Sequence, residues 1–161
     1  MKRFVKIAAF AVALVFSADF ASAQTKIEDY PTVQFFAHRG SRFEYEENTL
    51  EAFKATYNKG IRGYETDIRL TADGELVISH DETLSRLTPS DGNVEKMTRK
   101  EISKVRTDGG NKILFADELA KWLSKRDGAY VEWEMKSGGY DDEKLRQYCD
   151  KLYKTAMQNT P

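Results

Sequence analysis

The stretch GYETDIRLTADGELVISH, residues 63–80, decides the fold predicted for this chain. Its first part, GYETDIRL at 63–70, has the composition of a β-strand, and ADG at 72–74 has that of a turn. ELVISH at 75–80 then predicts another strand. Because the turn is short, the two strands form either a hairpin or a pair of barrel neighbours with a reduced connection, and the sequence leaves both open.

Outside this stretch, strand patterns alternate with helix patterns. Such alternation favours an α/β architecture with a parallel sheet. Asn48 stands three residues before Glu51, which is a capping-box spacing, and we expect it to cap the helix that follows. The other predicted elements are strands at 33–37 and 129–136, a short helix capped by Thr98, and helices at 115–123 and 141–157.

The first 23 residues have the pattern of a secretory signal peptide. A basic start is followed by an apolar run at 7–16 and by the cleavage signal Ala21-Ser22-Ala23. The apolar run is too short for a membrane anchor, which needs about 20 residues. We therefore expect residues 1–23 to be removed and 24–161 to form one domain, exported to the periplasm or secreted, with no stable membrane insertion.

Composition excludes some classes of function. The net charge is −1 at pH 7, and the predicted leader is itself basic, so the remaining chain is mildly acidic and a poor candidate for binding nucleic acid. Charged residues make up 32% and aromatic residues 12% of the sequence, which indicates a globular domain. The one cysteine, Cys149, cannot form an internal disulfide, and we expect a buried, unreactive thiol.

Two predicted strands carry acidic residues at alternating positions. Side chains two residues apart point to the same face of a strand, so Glu65 and Asp67 share one face, as do Glu132 and Glu134 on the fourth strand. For either strand alone, a solvated polar face is the simpler explanation. Taken together, Glu65, Asp67 and Glu134 can complete a ring of oxygen ligands for a hard cation such as Ca²⁺ or Mg²⁺.

Both histidines of the chain, His38 and His80, stand at or just past the end of a predicted strand. Active sites of α/β folds assemble at the carboxyl ends of parallel strands. Two imidazoles beside a metal suit acid–base catalysis, in which one takes a proton and the other gives one. Arg39 and Lys136 would supply positive charge for an anionic substrate, most plausibly a phosphate.

The order of these motifs resembles the glycerophosphodiester phosphodiesterase family. The resemblance rests on HRG at 38–40, ENT at 47–49, the 63–80 stretch and VEWEMK at 131–136. It implies a TIM barrel that hydrolyses a glycerophosphodiester to glycerol 3-phosphate and an alcohol. The roles it implies are an acid–base pair of His38 and His80, a divalent metal held by Glu65, Asp67 and Glu134, and substrate contacts from Arg39, Glu47 and Lys136.

Two features depart from that family. Glu46 replaces the proline of the family's P-E-N-T element, which removes some rigidity from the loop. A TIM barrel has eight strands in about 250 residues, whereas this chain offers about four strands. We therefore expect a partial TIM barrel, its N-terminal half only. Such a chain is a poorly folding truncated product, a half-barrel that pairs with a second copy through its open edges, or a shortened stable sheet.

Three functions remain open from the sequence. The first is the glycerophosphodiester hydrolase described above, acting on a small-molecule substrate. The second is a related phosphodiesterase acting on lysophospholipids or phosphoinositides. The third is a non-catalytic module that binds a metal or a phosphate.

Overall fold

The computed structural model describes residues 35–136 and 138–157. The predicted leader, 1–23, lies outside the described residues. The strands and helices fall where the sequence pattern predicts them, with bounds shifted by a few residues. They are strands β1 (Phe36–His38), β2 (Gly63–Leu70), β3 (Leu76–Ile78) and β4 (Tyr130–Met135), helices α1 (Leu50–Asn58), α2 (Arg99–Ile102), α3 (Ala116–Leu123) and α4 (Asp142–Met157), and a 3₁₀ turn at Val94–Lys96.

Strand β2 is the centre of the sheet. On one edge it pairs in parallel with β1, and on the opposite edge in parallel with β4. The register sets His38 beside Glu65 and Asp67 beside Glu134. Residues far apart in sequence therefore come to the same height of the sheet, because parallel strands align their carboxyl ends.

The connection between β2 and β3 is a hairpin. β3 runs antiparallel to the end of β2, with Ile68 opposite Ile78 and Leu70 opposite Leu76. His80 was expected at the carboxyl end of a parallel strand, and that expectation is wrong. It lies two residues beyond an antiparallel strand and is carried towards the middle of β2 because the hairpin turns the chain back.

The apolar core lies on one face of β2. Tyr64 and Ile68 are fully buried there against Phe53 of α1, Leu119 of α3 and Tyr148 of α4. A second apolar cluster under the loops contains Val77, Leu84, Val94, Ile102 and Phe115. Because the helices cover this face, the opposite face of β2 is the one that presents Glu65 and Asp67.

Cys149 is exposed on α4, and the expectation of a buried thiol is wrong. Successive residues of a helix are turned by about 100°, and the preceding residue, Tyr148, points into the core. Among the described residues, no helix is both long enough and apolar enough to cross a membrane.

Candidate active site

The end of β1 brings the first histidine to the site. His38 Nε2 lies 3.5 Å from Glu65 Oε2, and the His38 side chain is 50% exposed. The next residue, Arg39, donates its backbone N–H to the carbonyl and to the carboxylate of Glu65, at 3.0 and 3.1 Å. Gly40 follows with φ +75°, and a Cβ there would lie 3.1 Å from the Ala52 side chain. The chain therefore turns away directly behind His38, and the imidazole stays open to solvent.

Asp67 is the buried centre of the site. Its side chain is 0% exposed, with Arg39 Nε 3.1 Å from Oδ2 and Lys136 Nζ 3.1 Å from Oδ1. Asn48 Nδ2 donates a hydrogen bond of 3.0 Å to Oδ2. Burial by itself raises the pKa of Asp67, but the Asn48 and Lys136 hydrogen bonds and the charge of Arg39 outweigh it and lower the pKa. Asp67 is therefore a fixed anion.

Asn48 orients Asp67, and the expectation that it caps α1 is wrong. The cap is Thr49, whose hydroxyl accepts from Ala52 N. Asn48 has φ +57°, a left-handed conformation that asparagine tolerates better than most residues. Thr66 Oγ1 donates to Asn48 Oδ1 at 2.9 Å, which leaves the amide nitrogen facing Asp67.

Three carboxylates of β2 and β4 meet in one cluster. One oxygen from each of Glu65, Asp67 and Glu134 lies within 4.8 Å of the others. Burial and the nearby charge of Asp67 raise the pKa of Glu65. Glu65 Oε1 is buried and has no hydrogen-bond partner within the described part of the chain. A set of carboxylate oxygens with one buried oxygen left unpaired fits a hard divalent cation of the Ca²⁺ or Mg²⁺ type.

The second histidine is held from two sides. His80 Nδ1 lies 2.7 Å from Asp81 Oδ1. Arg69, on the polar face of β2, donates from Nε and Nη2 to the carbonyl of His80 at 3.1 and 2.9 Å. The backbone and one ring nitrogen of His80, Nδ1, are therefore fixed.

Arg86 joins the His80 side of the site to the Asp67 side. Its Nε lies 2.5 Å from Asp81 Oδ2, and its Nη2 lies 2.6 Å from Glu47 Oε1. Arg39 Nη1 is 3.2 Å from the same oxygen of Glu47. Burial raises the pKa of Glu47, but the hydrogen bond and charge of Arg86, with those of Arg39, lower it overall. Glu47 is thus a buried anion shared by two arginines.

The two predicted phosphate contacts are engaged by carboxylates. Arg39 is 7% exposed and lies between Glu47 and Asp67. Lys136 Nζ contacts both Asp67 and Glu134. Burial lowers the pKa of Lys136, but hydrogen bonds to Glu134 and Asp67 raise it overall. The structure thus brings all eight predicted site residues together, with Arg39 and Lys136 already paired.

Four further residues build the site and were not predicted to belong to it: Asn48, Arg69, Asp81 and Arg86. A signal existed for two of them. Asp81 follows His80 directly, and Arg69 alternates with Glu65 and Asp67 along one face of β2. The reach of Arg86 to Glu47, 39 positions away, has no local signature.

Comparison with solved structures defines the class of fold. A glycerophosphodiester phosphodiesterase from Agrobacterium tumefaciens superposes with a TM-score of 0.64 at 29% identity, over 80% of this chain and 56% of that one. An Oleispira antarctica phosphodiesterase, solved with the product sn-glycerol-3-phosphate, gives a TM-score of 0.71 at 27% identity, over 80% and 53%. The described part of the chain is thus a partial TIM barrel of the phosphodiesterase type, as predicted.

The family follows from the sequence match. Residues 38–155 match the model of the glycerophosphoryl diester phosphodiesterase family, and the chain belongs to that family. A glycerophosphodiester phosphodiesterase of Bacillus altitudinis is 32% identical, over 73% of this chain and 52% of the relative. The chain spans about half the length of the relatives that it matches.

Proposed function

We propose that the protein hydrolyses glycerophosphodiesters to glycerol 3-phosphate and an alcohol in a reaction that depends on a divalent cation. One observation carries the proposal, in a chain that belongs to the glycerophosphoryl diester phosphodiesterase family. His38 lies against the carboxylate cluster at Glu65, and His80 is joined to Asp67 of the same cluster by the side-chain contacts of Asp81, Arg86, Glu47 and Arg39. A structural role for either imidazole would not require both to share one site with three carboxylates.

His38 and His80 are the proposed acid–base pair. One imidazole takes the proton of the attacking hydroxyl, which belongs to water or to the neighbouring glycerol carbon; the hydroxyl oxygen bonds to phosphorus as the phosphorus–oxygen bond to the alcohol breaks. The other imidazole gives a proton to the departing alcohol oxygen. Attack by water gives glycerol 3-phosphate directly, whereas attack by the glycerol hydroxyl gives a cyclic phosphate that water then opens, with the two imidazoles exchanging roles. His38 suits this work because it is half exposed. His80 suits it because Asp81 holds Nδ1 and leaves Nε2 available.

Glu65, Asp67 and Glu134 are the proposed cation ligands. A bound Ca²⁺ or Mg²⁺ would supply positive charge to the phosphate oxygens, on which negative charge develops. Asp67 is already ionised and held by three partners, so its orientation is fixed before any cation arrives. Glu134 is exposed, and within the described residues its ion-pair partner is Lys136.

Arg39, Lys136 and Glu47 are the proposed substrate contacts. Lys136 is the more accessible cation, with its side chain 20% exposed, whereas the Arg39 side chain is 8% exposed and is paired with Glu47. Glu47 is itself buried and acts by holding Arg39 and Arg86. A substrate phosphate would compete with Asp67 and Glu134 for Lys136, and a cation on those carboxylates would favour the exchange.

The experiment is an assay of glycerol 3-phosphate release from glycerophosphocholine, with the chain from residue 24 onwards. Ca²⁺, Mg²⁺ and a chelator are compared, and His38→Ala and His80→Ala are measured beside the unmodified chain. Glu134→Gln is paired with Glu132→Gln, a matched control two residues along the same strand. We expect cation-dependent release that the histidine variants and Glu134→Gln abolish and that Glu132→Gln leaves intact.

If the chain is shown by circular dichroism to be folded but releases no glycerol 3-phosphate, the proposed enzymatic activity is contradicted. Cation binding without release would then support the non-catalytic binding module. Release from a lysophospholipid but not from glycerophosphocholine would support the related phosphodiesterase.

Export is a separate proposal that rests on the leader pattern at 1–23. Expression of the full chain in a bacterium with two membranes should yield the processed form, beginning at Gln24, in the periplasm or the medium. N-terminal sequencing of the fractions checks this, and an unprocessed chain in the cytoplasm would contradict it.

A further inference from the structure

We infer that Arg86 is a positioning residue that fixes His80 for proton transfer by holding Asp81 and Glu47 in one frame. This inference rests on the proposed function for its meaning. The contacts that carry it stand independently of any reaction.

Arg86 lies in the middle of a continuous network of side-chain contacts. His80 Nδ1 meets Asp81 at 2.7 Å, Asp81 meets Arg86 Nε at 2.5 Å, and Arg86 Nη2 meets Glu47 at 2.6 Å. The network continues from Glu47 to Arg39, which lies 3.2 Å from Glu47 and 3.1 Å from the buried Asp67. The two proposed working parts of the site, the imidazole and the cation ligands, are joined through this single guanidinium.

The backbone around Arg86 is anchored, so the side chain projects from a fixed base. Leu84 is buried, and its N–H donates to Gly92 O at 3.0 Å. Leu87 O accepts from Asp108 N at 2.8 Å, and the buried Thr88 hydroxyl donates to Leu84 O at 3.0 Å. Because the loop is fixed on both sides of Arg86, placing its guanidinium costs less conformational entropy than on a free loop.

The simpler explanation is a surface ion pair of little consequence, because the Arg86 side chain is 44% exposed. Exposed pairs of this kind contribute little to stability. Arg86, however, contacts two carboxylates through two different nitrogens, and one of these, Glu47, is 8% exposed. This planar fork has a fixed geometry that a lysine cannot reproduce. An arrangement of this kind sets orientation even where it adds little stability.

Asp81 is the link through which Arg86 acts on His80. With Oδ2 held by Arg86, the other oxygen, Oδ1, faces His80 Nδ1 and accepts a hydrogen bond from Nδ1–H. This selects the tautomer that carries the proton on Nδ1 and leaves the Nε2 lone pair free. Asp81 is one-third exposed, so without Arg86 its carboxylate can turn to solvent and the imidazole loses both its orientation and its selected tautomer.

The test uses the fact that the chain has only two histidines. Nitrogen NMR of the imidazoles at about pH 8, above the ordinary histidine range, reports the tautomer of each ring, and His38→Gln assigns the signals. In the unmodified protein we expect His80 to show one fixed tautomer with the proton on Nδ1. In Arg86→Gln we expect a mixture of the two tautomers.

Kinetics supply the second readout. Arg86→Gln should lower kcat about 10- to 100-fold, as expected for a misplaced catalytic group, with KM changed less than threefold. Arg86→Lys should restore less than half of the lost kcat, because a lysine cannot contact the carboxylates of both Asp81 and Glu47. Arg106→Gln is the matched control, since Arg106 is an exposed arginine whose side chain donates to the carbonyls of Ser103 and Val105 and not to a carboxylate within the described residues.

A fixed His80 tautomer in a folded Arg86→Gln protein, or a kcat equal to that of Arg106→Gln, would overturn the inference. If Arg86→Gln does not fold, Arg86→Lys and Asp81→Asn carry the same two readouts. If the unmodified chain has no activity, the proposed function fails while the NMR result still decides whether Arg86 positions His80.

Discussion

Strands β2 and β4 supply carboxylates to the same cluster from opposite surroundings. β2 is paired on both edges, and its Asp67 is 0% exposed with three polar partners. β4 has a strand partner on one edge only within the described residues, and the Glu134 side chain is 52% exposed. The proposed cation site therefore has two parts. Folding fixes the buried carboxylate of Asp67 on β2, whereas the exposed carboxylate of Glu134 on β4 can change its orientation. Pairing of two copies through such an open edge stays a prediction.

The largest expected effect is the loss of stability when the buried carboxylate of Asp67 is removed. Asp67→Ala leaves Arg39 and Lys136 without their shared anion and Asn48 without its acceptor. Breaking a buried ion pair from one side costs about 3–5 kcal/mol. Urea unfolding followed by circular dichroism should show that loss. Glu134→Gln should stay within about 0.5 kcal/mol of the unmodified protein, and equal losses in the two variants would refute the contrast.

The second prediction concerns the exposed carboxylate of Glu134. A cation that binds the folded chain at 100 times its Kd adds about 2.7 kcal/mol to the free energy of unfolding. We expect Ca²⁺ or Mg²⁺ to raise Tm in the unmodified protein and in Glu132→Gln, and to raise it much less in Glu134→Gln. Thermal scans with cation and with chelator measure this. An equal rise in Glu134→Gln would remove that residue from the cation site.

The third prediction separates hydrogen bonding from backbone strain at Asn48. Asn48→Gly keeps the left-handed conformation but removes the bonds to Asp67 and Thr66, at a cost of about 1–3 kcal/mol. Asn48→Ala should lose about 1 kcal/mol more, because alanine disfavours φ +57°. Chemical unfolding of both variants gives the difference. If alanine were the more stable, the side-chain bonds and not the backbone would explain asparagine at this position.

The smallest expected effect concerns Glu46, a carboxylate that lies outside β2 and β4. Glu46 accepts from Thr107 Oγ1 at 2.5 Å, Asn111 Nδ2 at 2.6 Å and Gly109 N at 2.8 Å. Burial raises its pKa, but these hydrogen bonds lower it overall. A lowered pKa in the folded state means that the contribution is complete above the ordinary glutamate pKa of about 4.3 and is lost as pH falls through the lowered value.

Glu46→Gln should therefore unfold about 1 kcal/mol more easily than the unmodified protein at neutral pH, with the gap closing below about pH 4. Unfolding at a series of pH values measures the gap. A gap that persists unchanged in acid would mean that ionisation of Glu46 is not the source of the difference between the two proteins.

Local periodicity explains how much could be predicted. Alternation along 63–70 and 129–136 predicted both strands and the shared face of Glu65 and Asp67, because the two-residue repeat of a strand is visible in sequence. A hairpin at ADG was one of two connections that the sequence left open, and the antiparallel pairing of β2 with β3 in the structure decides between them. The loop at Glu46 was expected to lose rigidity with its missing proline, whereas three hydrogen bonds hold it.

Contacts between distant loops could not be predicted. Arg86 and Glu47 are 39 residues apart and lie in no periodic element. Asn48 and Thr49 are both good capping residues by composition, and the backbone angles together with the hydrogen bond from Ala52 N assign the cap to Thr49. Cys149 was misplaced because one step along a helix separates a buried side chain from an exposed one.

Gly63 limits how this site can change by mutation. A Cβ on Gly63 would lie 2.3 Å from the carbonyl oxygen of Phe35 and 2.6 Å from the hydroxyl of Tyr130, too close for either neighbour to remain in place. Gly63 pairs with β1 on one side and β4 on the other, so a single added methyl would spread both. A substitution at the exposed Glu134 or His38 leaves the strand pairing in place, whereas any side chain at Gly63, the one glycine within the four described strands, would disturb it.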